Sequence, residues 1–298
     1  MHYLDLLDEM LTEGLRGLGD GFRQAQLACV LGCQRPDGGF GGRRGGSDLY
    51  YTEFGLRVLT LLDGPVEAFA RAVPFLAAHA TPRELTDVFS LLNSRRLLAG
   101  HGLPLPVDEA ACRDEIAGRR ARTGGYGRPD GSGPTAYATF LAALSLDLLG
   151  DEMPQPERAA SAIAALQQAD GGFAQEPGGP AQTNSTTAAV GFLLMEDALS
   201  PEQAERARDY LAARQDASGG FASHERIPAD LLCTFTALTT LVFLDGVSRL
   251  DLAGVARFVK SCAAPAGGCG AHAGDPEADM EYTYYGVATL ALLAGISS

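Results

Sequence analysis

Tryptophan is absent from this chain of 298 residues, and lysine occurs once, as Lys260. Aromatic contacts therefore fall to thirteen phenylalanines and nine tyrosines, and almost every cation is an arginine. Basic charge is scarce overall. Twenty-three cations stand against thirty-seven acids, a net charge of −14, which argues against nucleic acid or an anionic membrane surface as partner. No stretch of 18 uncharged apolar residues exists, so no membrane span is expected. The N-terminus, "MHYLDLLDEMLTEGL", is acidic and amphipathic, unlike a secretory leader, and reads as a helix over 1–20. Six cysteines include no CxxC pair, which fits a reduced, cytoplasmic protein. Cys29 and Cys33, four apart on one helix face, read as small core residues.

What is present is a repeat. "QRPDGGFGG", "GGYGRPDG", "QADGGFAQ", "ASGGFASHE" and "AGGCGAHAG" place paired glycines at 38, 124, 171, 219 and 267. The gaps of 86, 47, 48 and 48 imply six repeats, one of which has lost its glycines near residue 81. Their bounds are about 22–63, 66–100, 107–150, 156–198, 201–246 and 251–295. Before each glycine pair runs a helix charged on one face, as in "PEQAERARDYLAARQ". After it runs one almost free of charge, as in "TFTALTTLVFL", and such a helix is buried on all sides. Glycines end several of these runs, at Gly100, Gly150, Gly246 and Gly295. Alternating strand patterns are scarce. The reading is an all-α, six-repeat α/α toroid in one domain over 1–298, with apolar helices inside and amphipathic ones outside.

The segments "QRPDGGFGG", "SDLYYTEFGLRVLTLL", "ERIPADLLCTFTAL" and "FVKSCAAPAGGCGAHAGDPE" resemble the beta subunit of protein prenyltransferases, the geranylgeranyl type in particular. The resemblance covers nearly the whole chain. It extends to a superfamily that also holds squalene- and diterpene-type cyclases. Those cyclases are usually rich in tryptophan at the aromatic repeat position, so Phe and Tyr here lean toward the prenyltransferases. The resemblance implies an apolar central cavity for an isoprenoid chain. It also implies a zinc ion at the rim and a separate alpha-like partner subunit.

The carried-over residues match unevenly. Asp230 sits where the family has its zinc aspartate. The family's cysteine position is Leu232, and its histidine position is Tyr282. Cys233 lies one residue away, a rotation of about 100° on a helix. The residues fix no cofactor, and zinc through Asp230 and Cys233 is the one the resemblance implies. The diphosphate set corresponds to Gln182, His224 and Arg226. The cyclases instead protonate an alkene or epoxide with an acid in a "DxDDT" motif. Here "DMEYT" offers Asp279 and Glu281, with Tyr282 at the fourth position, as catalytic candidates. A carboxyl among apolar groups stays protonated, as a general acid needs. Tyr51, Tyr137 and Tyr285 are candidate substrate-lining residues.

Bland readings stand beside these. Asp48, Asp230 and Asp279 recur at one repeat position and suit helix N-caps. Glu53 and Arg57 read as an ordinary helix pair. "NSRR", residues 93 to 96, reads as a solvated helix end. The functional expectation is an enzyme of isoprenoid chemistry, by prenyl transfer or cyclisation. The alternatives are a ligand- or protein-binding toroid without catalysis and a beta-like subunit of a heterodimeric prenyltransferase.

Overall fold

The computed structural model describes residues 2–129, 133–225, 227–265 and 267–296. Among them are thirteen α-helices and one 3-10 turn, Val247–Arg249; extended backbone occurs only as isolated bridges. The chain divides into two compact units, one of residues 1–6 and 114–258, the other of 7–113 and 259–298.

In the second of these units, α1 (Tyr3–Leu15, from Leu7 on) is followed by α2 (Asp20–Cys33), α3 (Leu49–Leu61), α4 (Val66–Ala78) and α5 (Leu85–Ala99). The chain then enters α6 (Glu109–Gly118), returns through α12 (Leu252–Ser261) and ends in α13 (Met280–Ile296). Helix α3 lies between α5 and α13, covered by α2 and α4. Leu7, Leu11 and Leu15 of α1 are buried. A Cβ on Gly14 of α1 would stand 1.8 Å from the Ala291 carbonyl oxygen, so α1 seats on α13 at backbone distance.

The other unit repeats this plan with α7 (Ala136–Leu149), α8 (Pro156–Ala164), α9 (Thr183–Met195), α10 (Pro201–Ala212) and α11 (Leu231–Phe243). Here α9 lies between α7 and α11, covered by α8 and α10. The division of labour expected from the charge pattern is plain. Ten of the thirteen residues of α9 are buried, but only three of the twelve of α10. Helix α10 begins on Pro201 behind a Ser200 cap, with Gln203 returning the bond as a capping box.

The links explain the repeat motif. Gly38 and Gly171 take φ of +88° and +94°, which a residue with a Cβ resists. A Cβ at these positions would stand 1.8 Å from the Arg71 carbonyl oxygen and 2.4 Å from that of Arg206. Each link thus rests on the backbone of the next covering helix. The aromatic two residues on is wholly buried, as Phe40 and Phe173 are. Its backbone N–H donates to a threonine of the following buried helix: Phe40 to Thr52 and Phe173 to Thr186, at 3.0 and 2.8 Å. Phe221 to Thr234 and Cys269 to Thr283 repeat the bond. The last link packs on the first covering helix, where a Cβ on Gly267 would meet Cys29 at 3.0 Å. First and last repeats are therefore neighbours inside one unit.

Several local expectations needed correction. Helices α2, α8 and α10 end earlier than the apolar pattern suggests, because Gln34, Gln167 and Gln215 leave the helix to clasp. Their amides donate to the glycine carbonyl of their own link and to Ala68, Gln203 and Asp251 of the next repeat. Of the four glycines expected to end helices, Gly150 alone takes the left-handed conformation, and Gly295 lies inside α13. Asp63, Asp197 and Asp245 turn the chain after α3, α9 and α11 at φ near +50°, which their short polar side chains tolerate. Cys33 is exposed rather than in the core, and Cys29 is half-buried. Asn93 and Ser94 are fully buried rather than at a solvated end.

Candidate functional site at the starts of the buried helices

Three aspartates open buried helices. Asp48 accepts from Tyr51 N at 2.7 Å, Asp230 from Cys233 N at 2.6 Å and Asp279 from Tyr282 N at 3.0 Å. Each satisfies an N–H left unpaired by helix geometry and sits at the positive end of the helix dipole. The capping expectation holds for all three. What else each touches differs.

At α13 the cap is also an ion pair. The Arg43 guanidinium, from the glycine-rich loop before α3, reaches Asp279 Oδ2 at 3.0 Å and Asp275 Oδ2 at 2.7 Å. It also lies 5.7 Å over the Tyr282 ring. Burial pushes the Asp279 carboxyl up, against the pull of the Tyr282 amide and Arg43. Asp275, half-buried, is held below the usual carboxylate range because, against the opposing effect of burial, the Ala271 amide and Arg43 prevail. Glu281, two residues into the helix, accepts from the Tyr50 hydroxyl at 2.8 Å and the Tyr285 hydroxyl at 3.4 Å. Around it Tyr50, Tyr51, Phe54, Tyr282, Tyr284 and Tyr285 make edge-on and tilted ring contacts at 5.0 to 6.2 Å. Burial and the carboxylates of Asp279, Glu281 and Asp48 raise the Tyr51 hydroxyl to about 12, so it stays a neutral donor. The sequence candidates Tyr51, Asp279, Glu281, Tyr282 and Tyr285 thus converge on one site. Arg43 and Asp275 join it unforeseen.

At α11 the site is quieter. Asp230 Oδ2 receives the Cys233 thiol at 3.5 Å. Burial first, then Asp230, push that thiol well above its ordinary range, so it is a neutral S–H. Asn184 of α9 accepts from Thr236 at 3.3 Å. Gln182 occupies the cap position of α9 without a side-chain capping bond. His224 is half-buried in the loop before α11, and Arg226 lies outside the described residues. Tyr137, on the first turn of α7, is 46% exposed.

This donor set does not fit the zinc that the resemblance implies. A three-ligand site needs a thiolate or imidazole beside the carboxylate. Here Asp230 Oδ1 caps its helix and Oδ2 receives the Cys233 thiol, and no third metal donor joins them among the described residues. No group of three or more His, Cys, Asp or Glu side chains able to hold a metal occurs among the described residues.

The prenyltransferase alpha-alpha toroid domain family matches residues 2–222 and 190–298. The chain belongs to that family. The expected all-α, six-repeat α/α toroid is the family's fold. Among solved structures the chain is similar to Candida albicans protein geranylgeranyltransferase-I complexed with GGPP. They share 13% identity over 91% of this chain and 90% of that one, with a TM-score of 0.72. It is also similar to a type II terpene cyclase from Scytonema in complex with geranylgeranyl dihydroxybenzoate, its substrate. There the identity is 14% over 95% and 98%, with a TM-score of 0.65. A protein from Actinoplanes shares 16% over 93% and 99%, with a TM-score of 0.60. At these identities the likeness is one of fold. No curated protein matches the chain. No described helix is long and apolar enough to cross a membrane.

Proposed function

We propose that this member of the family binds an isoprenoid chain and acts on it by acid chemistry at Glu281. The observation that carries the reading is a carboxyl at the start of α13, held by two phenols inside a cluster of six aromatic rings. In this reading the protonated Glu281 gives its proton to an alkene carbon. The π electrons form the new C–H bond, leaving a carbocation that the ring faces stabilise. Loss of a proton to water returns an isomer of the substrate. Tyr50 and Tyr285 hold the carboxyl, and a general acid so placed supplies about 10²–10⁴-fold. Arg43 and Asp279 fix the α13 terminus. Prenyl transfer is disfavoured by the thin anion-binding set around Gln182 and His224 and by the protonated Cys233.

The test is incubation with geranylgeranyl diphosphate, and separately with geranylgeraniol, in heavy water, read by mass spectrometry. Acid-initiated cyclisation places one deuteron in an isomeric product and retains the diphosphate. Released diphosphate with the prenyl group captured by water would replace this reading with cleavage of the diphosphate C–O bond, the bond that prenyl transfer breaks. A second reading, binding without turnover, has its own support. Both Asp279 oxygens are already engaged, by the helix and by Arg43. Tight binding of either chain with no product would establish it.

A further inference from the structure

The proposed chemistry leaves a pair of thiols unused. Cys29 and Cys33 lie about one turn apart at the end of α2, and their side chains share a hydrogen bond. Packing accounts for the first of them. A Cβ on Gly267 or Gly268 of the last link would stand 3.2 or 3.4 Å from the Cys29 sulfur, so a small side chain is needed there. Gln26, three residues earlier on α2, accepts from Gly268 N at 3.2 Å and holds the same link. Cys33 has no such duty, because it is exposed. A Cβ added to Gly32 beside it would meet nothing within 4 Å, so the end of the helix lies open to small solutes.

An exposed thiol bonded to a second, more sheltered one is the arrangement that reversible oxidation needs. The Cys29 S–H donates to the Cys33 sulfur, which lowers the Cys33 thiol to about 7 against the effect of burial and raises Cys29. Cys33 is therefore in good part thiolate at neutral pH, the nucleophilic form. Cys269 also acts on Cys29, but burial pushes its own thiol up to about 12 and keeps it an S–H. The helix sets one obstacle. Residues four apart hold their Cβ atoms about 5–6 Å from each other, and a disulfide needs about 3.5–4.5 Å. The last turn of α2 must open before the two sulfurs can bond. Gly32 sits in that turn, where no contact requires a glycine, and glycine weakens a helix it interrupts.

We infer that Cys29 and Cys33 form an oxidisable dithiol, with Cys33 the modification site for a small hydroperoxide and Cys29 its resolving thiol. This stands apart from the isoprenoid reading. The Cys33 thiolate attacks one peroxide oxygen. The S–O bond forms as the O–O bond breaks, and the other oxygen leaves as hydroxide or alkoxide and takes a proton from water. The sulfur gives up two electrons, which the peroxide accepts, and Cys33 becomes a sulfenic acid. With the thiolate gone, its hold on the Cys29 proton ends. The Cys29 sulfur then bonds the Cys33 sulfur as the S–O bond breaks. The hydroxyl leaves with the Cys29 proton as water.

The deciding experiment exposes the reduced protein to hydrogen peroxide, alkylates the remaining thiols with N-ethylmaleimide and maps peptides by mass without reductant. The peptide carrying both cysteines should emerge unalkylated and two hydrogens lighter, before any change at Cys112, Cys233, Cys262 or Cys269. Cys29→Ser should stop the reaction at the sulfenic acid, which dimedone captures at Cys33. Cys33→Ser should leave Cys29 alkylated. Gly32→Ala should slow closure of the disulfide about fivefold, by stiffening the last turn, and leave the first step unchanged. A disulfide between Cys29 and Cys269, or oxidation spread evenly over the six thiols, overturns the inference. So does a sulfenic acid that persists at Cys33 in the wild type. Should Cys29→Ser not fold, the wild-type map and Gly32→Ala still decide.

Discussion

Helices α11 and α13 start in the same way and end up with opposite chemistry. Both open on an aspartate cap, both follow a glycine link, and both place a threonine under the link's backbone N–H. At α11 the cap is joined by a protonated thiol and neutral amides. At α13 it is joined by an arginine, a second aspartate, a glutamate and a cluster of tyrosines. The repeat supplies a scaffold indifferent to what its caps carry. The chemistry of each helix start is set by the two or three residues around its cap.

The contrast can be broken most decisively at Glu281. Glu281→Gln should lower the rate of isomerisation by about 10²–10⁴-fold, while Asp230→Asn should leave it within twofold, both measured under saturating substrate. Equal losses would mean that the two helix starts act together and that the contrast is false. Next in size is the shared scaffold. Gly38→Ala and Gly171→Ala each force a Cβ into a carbonyl and a side chain into a left-handed conformation. Both should cost about 3 kcal/mol by urea denaturation, one in each unit. A third comparison isolates the ion pair. Asp230→Ala loses a cap, about 1 kcal/mol, whereas Asp279→Ala also strips a buried partner from Arg43 and should cost about 2–3 kcal/mol.

The pH dependence sharpens the same point. The folded-state pKa of Asp279 is raised by burial, so its contribution to stability is full below the ordinary aspartate value near 3.8. That contribution is lost as pH rises through the raised folded value. The groups facing it are Arg43, Asp275 and Tyr51. Urea midpoints of wild type minus Asp279→Asn should therefore fall with rising pH across that window. A flat difference would show that Arg43 fully cancels burial. The smallest effect concerns thiols. Sharing a hydrogen bond with Cys29 lowers Cys33 to about 7, whereas burial pushes Cys233 up. Iodoacetamide at pH 7.5 should label Cys33 first and Cys233 last, as read by peptide mass mapping.

Local grammar in the chain announced most of the scaffold. Glycine spacing gave the repeats, charge pattern separated covering helices from buried ones, and recurrence marked Asp48, Asp230 and Asp279 as caps. Each of those signals spans a few residues, which is the range over which helix periodicity and capping operate. The site was legible only in its α13 half and in Tyr51. Arg43 meets Asp275 and Asp279 more than 230 positions away, and no local pattern encodes such a pairing. Glu53 and Arg57 looked like any i, i+4 pair because the burial that makes them unusual is supplied by α5 and α13. Cys33 was assigned to the core for the opposite reason. A helix face says which residues align, not how far the next helix extends over them.

The backbone seat under the link glycines at 38, 124, 171 and 219 has a mechanical side. A carbonyl oxygen pressed where a Cβ would be leaves no room for one helix pair to slide along its neighbour, since any step in register drives a side chain into backbone. Pivoting about the contact remains free of that clash. Neighbouring repeats are joined like vertebrae, stiff in shear and compliant in bending.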